Sequence, residues 1–198
     1  MHRTSPTLAA LCLLAVAMVS GCGTSSPARY YSLVPVAAGG ERALAPEVSA
    51  SIGPIRIAEY LKRSQIVTRG DGVRTNLAEF DLWTEPLAKS MQRAIADNVA
   101  ALLGSDRILE FPGYNVLDEG YQVPAQVTRF DADDAGDAVL EVQWMVQDLD
   151  DKPVVAARRS SYTARVPAPG DYAAIVSALS ELVGDFSRDV ATALAELP

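Results

Sequence analysis

Hydrophobic residues in the second half of the chain follow two periods, one typical of a strand and one typical of a helix. Every second residue between Ala138 and Gln147 is apolar, which predicts a strand with one buried face and one largely solvated face. From about Asp171 to Leu194, apolar residues recur every three or four positions, which predicts a long helix with one buried stripe. Asp171 is suited to cap this helix.

The remaining pattern predicts a second long helix and further strands. Apolar residues recur at helical spacing from Trp83 to Leu103, with Pro86 in the first turn and Gly104 after the last. A turn at residues 70–72 joins a strand to a short arm at 73–76. The other strands are predicted at Tyr30–Val34, Val48–Ile57, Gln65–Arg69, Arg107–Phe111, Gln122–Phe130 and Pro153–Val166. We therefore predict an α/β (α+β) fold: a single domain with a mixed, mostly antiparallel sheet flanked by two long helices.

The N-terminal residues have the three zones of a secretory signal peptide. A short positive stretch at residues 1–3 precedes an almost unbroken apolar run from Leu8 to Val19, and small residues then lead into a cysteine. The apolar run has roughly 12 residues, whereas about 20 are needed to span a bilayer, so cleavage is expected rather than a permanent membrane helix. The residues at the cleavage point form a lipobox: Val19, Ser20, Gly21 and Cys22.

Lipidation requires the thiol of Cys22, because the thioether to diacylglycerol forms on sulfur before cleavage. An ordinary signal peptide with an incidental cysteine is the alternative. We expect residues 1–21 to be removed, 22–29 to form a lipidated tether, and 30–198 to form one domain. More than one acyl chain, palmitate among them, would give a stable anchor. Gly23 stands where an aspartate favours retention in the inner membrane, so we expect the periplasmic face of the outer membrane.

Composition excludes several classes of function. With 17 basic and 25 acidic residues, the chain has a formal net charge of −8, which disfavours nucleic acid as a partner. His2, the one histidine, and Cys12 lie in the signal peptide, and acylation consumes Cys22. Ser-His-Asp and Cys-His catalysis and the usual zinc sites are therefore excluded. We expect neither an enzyme nor a bound cofactor or metal.

Acidic residues cluster at two places. The run from Asp131 to Asp137 suggests calcium, but the fifth and twelfth positions of an EF-hand loop would be Ala135 and Val142, which lack side-chain oxygens. A solvated acidic turn is therefore favoured. The second cluster could supply a general acid and base. The favoured interpretation is that these residues lie just before a helix, where the helix dipole stabilises acidic side chains. Its members are Glu79, Asp81 and Glu85.

Aromatic and basic residues supply the candidate binding surface. Trp83 and Trp144 could anchor a partner, although core packing is favoured because both lie on apolar patterns. Three arginines form either a basic patch on an acidic protein or the solvated charges of a hairpin, and both interpretations stay open: Arg63, Arg69 and Arg74. Alternate positions along a strand share one face. The candidate partner-binding residues are therefore Tyr60, Arg63, Gln65 and Arg69.

Several stretches occur in the order and spacing of one known family. They are Tyr30-Tyr31-Ser32-Leu33, Ile52-Gly53-Pro54-Ile55, the run from Glu59 to Arg69, Ala78-Glu79-Phe80, Trp83-Thr84-Glu85-Pro86-Leu87, Arg129-Phe130, Trp144 and the segment from Tyr172 to Leu194. Together they resemble the ABC-type transport auxiliary lipoproteins, the PqiC-like family. The resemblance covers nearly the whole predicted mature chain.

The resemblance implies both a fold and a function. It implies a domain related to the N-terminal domain of TolB-like periplasmic proteins. It also implies a non-enzymatic subunit that docks a periplasmic MCE-domain protein at the outer membrane. This subunit would work with inner-membrane components that transport lipids. Whether the chain associates with itself is left open. Two other functions remain as alternatives: a lipid- or small-ligand-binding lipoprotein with a pocket between sheet and helices, and an assembly factor for the outer membrane.

The lipobox makes a direct prediction about the anchor. The substitution Cys22→Ser should abolish acylation and leave an unprocessed or soluble periplasmic protein, because serine offers no thiol for the thioether. Mass spectrometry of the N terminus measures this, and a free thiol at Cys22 of the wild-type protein would contradict the prediction.

Overall fold

The computed structural model describes residues 26–36, 45–112, 120–150 and 154–197. The predicted signal peptide and the lipobox residues Val19, Ser20, Gly21 and Cys22 lie outside the described residues, as does the first half of the predicted tether. The described residues form eight strands of one sheet and two long helices. The strands are β1 (Arg29–Tyr31), β2 (Ala50–Ile57), β3 (Gln65–Arg69), β4 (Thr75–Trp83), β5 (Ile108–Glu110), β6 (Tyr121–Asp133), β7 (Asp137–Asp148) and β8 (Val154–Arg165), and the helices are α1 (Leu87–Leu103) and α2 (Tyr172–Ala195).

The long strand β6 organises the sheet. One edge of β6 pairs antiparallel with β7, which pairs antiparallel with β8. Its other edge is shared: β2 pairs with the first half of β6, and β3 joins near its end. Beyond β2 lies β5, and beyond β3 lie β4 and then β1. The two longest pairings, β6 with β7 and β7 with β8, are antiparallel, while β2 with β6 and three shorter pairings are parallel, so the predicted α+β class with a mixed sheet is confirmed.

Both helices cover the same side of the sheet. Helix α1 packs on β2 and β5, α2 packs on β6, β7 and β8, and the two helices contact each other. The predicted stripe of α2 is buried in the core, where Phe186 meets Trp144 in an edge-to-face contact with ring centroids 5.7 Å apart. The Asp171 carboxylate accepts a hydrogen bond from the amide of Ala173, as predicted for a cap. Gly104 ends α1 in the left-handed conformation, with φ of 68°.

Two predicted boundaries are wrong near the start of α1. Strand β4 extends to Trp83, whereas the sequence pattern predicts an arm ending at 76 and a helix beginning at Trp83. Pairing with distant segments explains the difference. The Trp83 amide donates a hydrogen bond to the Ser64 carbonyl, and Tyr31 of β1 lies in register with Trp83. Strand pairing on both sides overrides the local helical pattern, so α1 begins at Leu87.

Candidate functional site

The sheet forks where β2 and β3 share the edge of β6. Strand β2 stays paired with β6 up to Ile57, and the Ala58 amide still donates to the Val127 carbonyl at 3.0 Å. Strand β3 rejoins β6 only at Thr68, opposite Ala132. Residues 58–64, which include a 3₁₀ turn at Glu59–Leu61, leave the sheet between these points. The fork therefore separates the end of β2 from the paired strands β3 and β4.

A buried carboxylate holds the two sides of the fork in place. Asp131, on β6, is 1% exposed and accepts hydrogen bonds from Tyr60 Oη at 2.8 Å, from Arg129 Nε at 2.9 Å, and from Arg69 at 3.1 and 3.3 Å. These four residues form what we call the Asp131 cluster. Burial and the hydrogen bond to Asp131 raise the pKa of Tyr60 to about 12, so its phenol stays protonated and donates. The hydrogen bond to Asp131 also raises the pKa of Arg69.

The interpretation of residues 131–137 as a solvated acidic turn is wrong for Asp131. Its carboxylate lies on a strand and is neutralised by Arg129, two residues earlier on the same strand, and by Arg69, which is distant along the chain. Asp133 accepts a hydrogen bond from the Asp137 amide, which closes the turn between β6 and β7, and Asp137 pairs with Arg165. Within the described residues, no group of three or more acidic side chains is arranged to hold a metal ion.

A groove of about 1040 Å³ lies in the fork. Its floor is formed by apolar residues at the end of β2, the end of β4 and the start of α1: Ile55, Ile57, Trp83 and Leu87. Its rim is charged and includes Arg56, Glu59, Lys62, Arg63 and Glu85. We call this feature the fork groove. An apolar floor with a charged rim is the usual anatomy of a surface that binds another molecule.

The rim of the fork groove has an excess of positive charge. Glu59 pairs with Lys62, and Glu85 pairs with Arg93 from α1, so both acidic residues are neutralised internally. Arg56 and Arg63 are exposed and have no carboxylate partner among the described residues. Arg63 Nε instead donates to the Tyr60 carbonyl at 2.6 Å, which fixes its stem beside the groove. Two unpaired cations on a protein of net charge −8 favour an acidic partner.

The structure divides the predicted partner-binding residues between two places. Tyr60 and Arg69 belong to the Asp131 cluster, where they support the fork. Gln65 is half-buried at the start of β3, opposite Leu82. Arg63 precedes β3 and lies on the groove rim, so the expectation that Arg63 and Arg69 share one face of a strand is wrong. Sequence reasoning missed the groove-lining Arg56, because the pattern of its strand does not show that the strand has an open edge.

The acidic residues before α1 are likewise not a group at a helix terminus. Asp81, on β4, is 3% exposed and accepts hydrogen bonds from Arg29 at 2.7 Å and from Tyr31 Oη at 2.8 Å. The hydrogen bond from Arg29 lowers the pKa of Asp81, so it remains a carboxylate. This ion pair fastens β1, the strand that follows the predicted tether, to the rest of the sheet. The helix-dipole interpretation is therefore wrong for Asp81.

The two tryptophans differ in position. Trp144 is 2% exposed, packs on Phe186 in the core, and donates from Nε1 to the Ser160 hydroxyl at 3.1 Å. Trp83 is 6% exposed but forms part of the groove floor. The preference for core packing is confirmed for Trp144, while Trp83 is buried and also borders the site.

Comparison with known proteins agrees with this architecture. The model of the family described as ABC-type transport auxiliary lipoprotein component matches residues 31–191. The chain belongs to this family. The resemblance noted from the motifs is thereby confirmed, and the coarse function of this auxiliary lipoprotein is support of an ABC-type transport system. No curated protein matches its sequence significantly.

Solved structures share the fold of this auxiliary lipoprotein. A crystal structure of an uncharacterized protein aligns with a TM-score of 0.69 and 17% identity, over 85% of this chain and 99% of that one. Protein XCC0632 from Xanthomonas campestris aligns with a TM-score of 0.64 and 16% identity, over 83% of this chain and 93% of its own. At these identities the likeness concerns the fold. In the described part of the chain, neither helix has the length and apolar character needed to cross a bilayer.

The different positions of Arg63 and Arg69 can be tested by measuring the stability of two variants. Replacing Arg69 by Glu would remove one partner of the buried Asp131 and place a second negative charge beside it, so the free energy of unfolding should fall by about 2 kcal/mol or more. Arg63→Glu changes an exposed rim residue and should alter stability by no more than about 0.5 kcal/mol. Urea denaturation measures both. Equal destabilisation by the two substitutions would contradict the assignment.

Proposed function

We propose that this auxiliary lipoprotein is the outer-membrane docking subunit of an MCE-type intermembrane lipid transport system. It would be anchored through lipidated Cys22 and would bind the periplasmic MCE-domain protein, while inner-membrane components drive transport. Family membership supports a role in transport, the lipobox supports the anchor, and Gly23 supports the outer membrane. The role is one of binding rather than catalysis.

The fork groove is the observation that carries the proposal. Its apolar floor and its two unpaired arginines present a binding surface with a defined charge preference. A strand that neighbours the groove lies close to the anchor along the chain. Arg29, where β1 begins, comes seven residues after Cys22, which limits the tether to roughly 25 Å when fully extended. Strand β1 pairs with the end of β4, and that end borders the groove. A partner bound there would be held near the membrane surface.

Lipid binding by the domain itself is the second candidate, and the volume of the fork groove favours it. The floor residues argue against it, because each is less than 8% exposed. An acyl chain would find little free apolar surface to cover, and hydrophobic stabilisation scales with the apolar area removed from water. We therefore favour a protein partner for this site.

The proposal predicts that a single charge reversal on the groove rim disrupts docking. Arg63→Glu should give a folded, correctly anchored lipoprotein that no longer copurifies with its MCE-domain partner and fails to complement an envelope-permeability defect. Affinity purification from detergent-solubilised membranes measures the loss.

Arg74→Glu is the matched control. Arg74 is also exposed, where it pairs with Asp71, but it lies on the turn between β3 and β4, outside the groove lining, so this variant should copurify normally. If the two variants behave alike, the docking surface lies elsewhere on the domain. If the wild-type protein has no MCE-domain partner, the proposed function itself is wrong.

A further inference from the structure

Strand β2 has an open edge along the fork groove. On the side away from β6, β2 pairs with β5 only from Ala50 to Ile52, and the Phe111 amide donates to the Ile52 carbonyl. A bulge follows at Gly53, whose φ of 117° favours glycine, and the register with β6 shifts there. From Ile55 to Ile57, no strand among the described residues pairs with this edge. The unpaired edge lies in the groove lining.

The direction of the backbone groups follows from a neighbouring hydrogen bond. The Ala58 amide donates to Val127 of β6, and successive residues of a strand alternate in the direction of their N–H and C=O groups. Arg56 therefore points its backbone groups towards β6, and Ile55 and Ile57 point theirs towards the groove. Two amides and two carbonyls are thus available in a strand-like arrangement. Such an edge is the usual template for an added strand.

The side chains around this edge select for charge. Arg56 projects from the open segment itself, and Arg63 lies across the groove on the segment that leaves the sheet. Neither has a carboxylate partner among the described residues, whereas both acidic rim residues are already paired. An occupant with carboxylates at alternate positions could meet both arginines while its backbone hydrogen-bonds to β2.

We propose that the fork groove binds an extended acidic peptide segment, which adds as a short strand beside Ile55–Ile57. The proposed function enters only in naming the MCE-domain protein as the source of this segment. A peptide uses the features that a lipid tail leaves unused, namely the backbone groups of Ile55 and Ile57. The arginines fix the register of the segment.

Nuclear magnetic resonance of the detergent-solubilised full chain tests this binding without any partner protein. The probe is a capped synthetic peptide of sequence TVDVEVT. We expect it to shift the amide resonances of Ile55 and Ile57 more than those of other strand residues. The basic peptide TVKVKVT, and an acidic peptide methylated on alternate backbone nitrogens, should each bind at least tenfold more weakly. Equal binding of the acidic and basic peptides would overturn the proposal, as would resonance shifts confined to β8, the long edge strand of the sheet.

A charge exchange separates recognition from folding. Arg56→Glu combined with Arg63→Glu should reverse the preference, so that TVKVKVT binds better than TVDVEVT. The control pair Arg74→Glu and Arg159→Glu changes the net charge equally at exposed positions outside the groove lining and should leave the preference unchanged. If the double glutamate variant does not fold, Arg56→Gln with Arg63→Gln should abolish the preference instead. An unchanged preference in the folded variant would overturn the proposal.

The outcomes also distinguish this inference from the proposed function. Selective peptide binding at Ile55 and Ile57, without an MCE-domain partner in cells, would support the groove assignment and contradict only the identity of the partner. Copurification of an MCE-domain protein that survives the double arginine substitution would overturn the groove assignment and leave the docking function. Displacement of the peptide by anionic lipid, with lipid retained in the purified protein, would assign the groove to lipid and overturn the proposal.

Discussion

The buried carboxylate of Asp131 is the constraint on which the arrangement of the sheet depends. A carboxylate that is 1% exposed is strongly destabilising unless cations and hydrogen-bond donors surround it. Its partners come from three segments: Tyr60 from the chain that leaves the sheet, Arg69 from the end of β3, and Arg129 from β6. Satisfying this one group fixes where the chain leaves the edge of β6 and where it returns.

The fork that results gives an acidic protein a local site of opposite charge. Because β3 rejoins β6 beyond β2, the last residues of β2 keep an open edge, and the end of β4 with the first turn of α1 completes the floor of the groove. Arg29 and Asp81 fasten β1 beside the same region, so the predicted lipid tether and the groove lie on neighbouring strands. In the proposed function, membrane attachment and partner binding would therefore use neighbouring strands of the same domain.

The features that were predictable from the sequence are those determined by nearby residues. Alternation along β7 and the stripe of α2 each follow from a short window, and both agree with the structure. In the Asp131 cluster, by contrast, Arg69 and Tyr60 lie 62 and 71 positions before Asp131 in the sequence. Arg29 lies 52 positions before its partner Asp81. Local patterns therefore assigned these acidic residues to turns and helix ends. The local pattern predicts a helix at Trp83, but strand pairing with distant segments decides its conformation, and a short window of sequence does not contain those segments. The groove was not predictable because it exists only where separate segments meet.

Amide hydrogen exchange at the end of β2 is the most direct measurement of the open edge. The account predicts that the amides of Ile55 and Ile57, which face the groove, exchange rapidly in the unbound protein, while those of Arg56 and Ala58, which face β6, are protected. The two classes should alternate along the chain despite equal depth in the sheet. Similar protection of all four amides would show that the edge of β2 is already covered, and would contradict the assignment of the fork groove as a binding site.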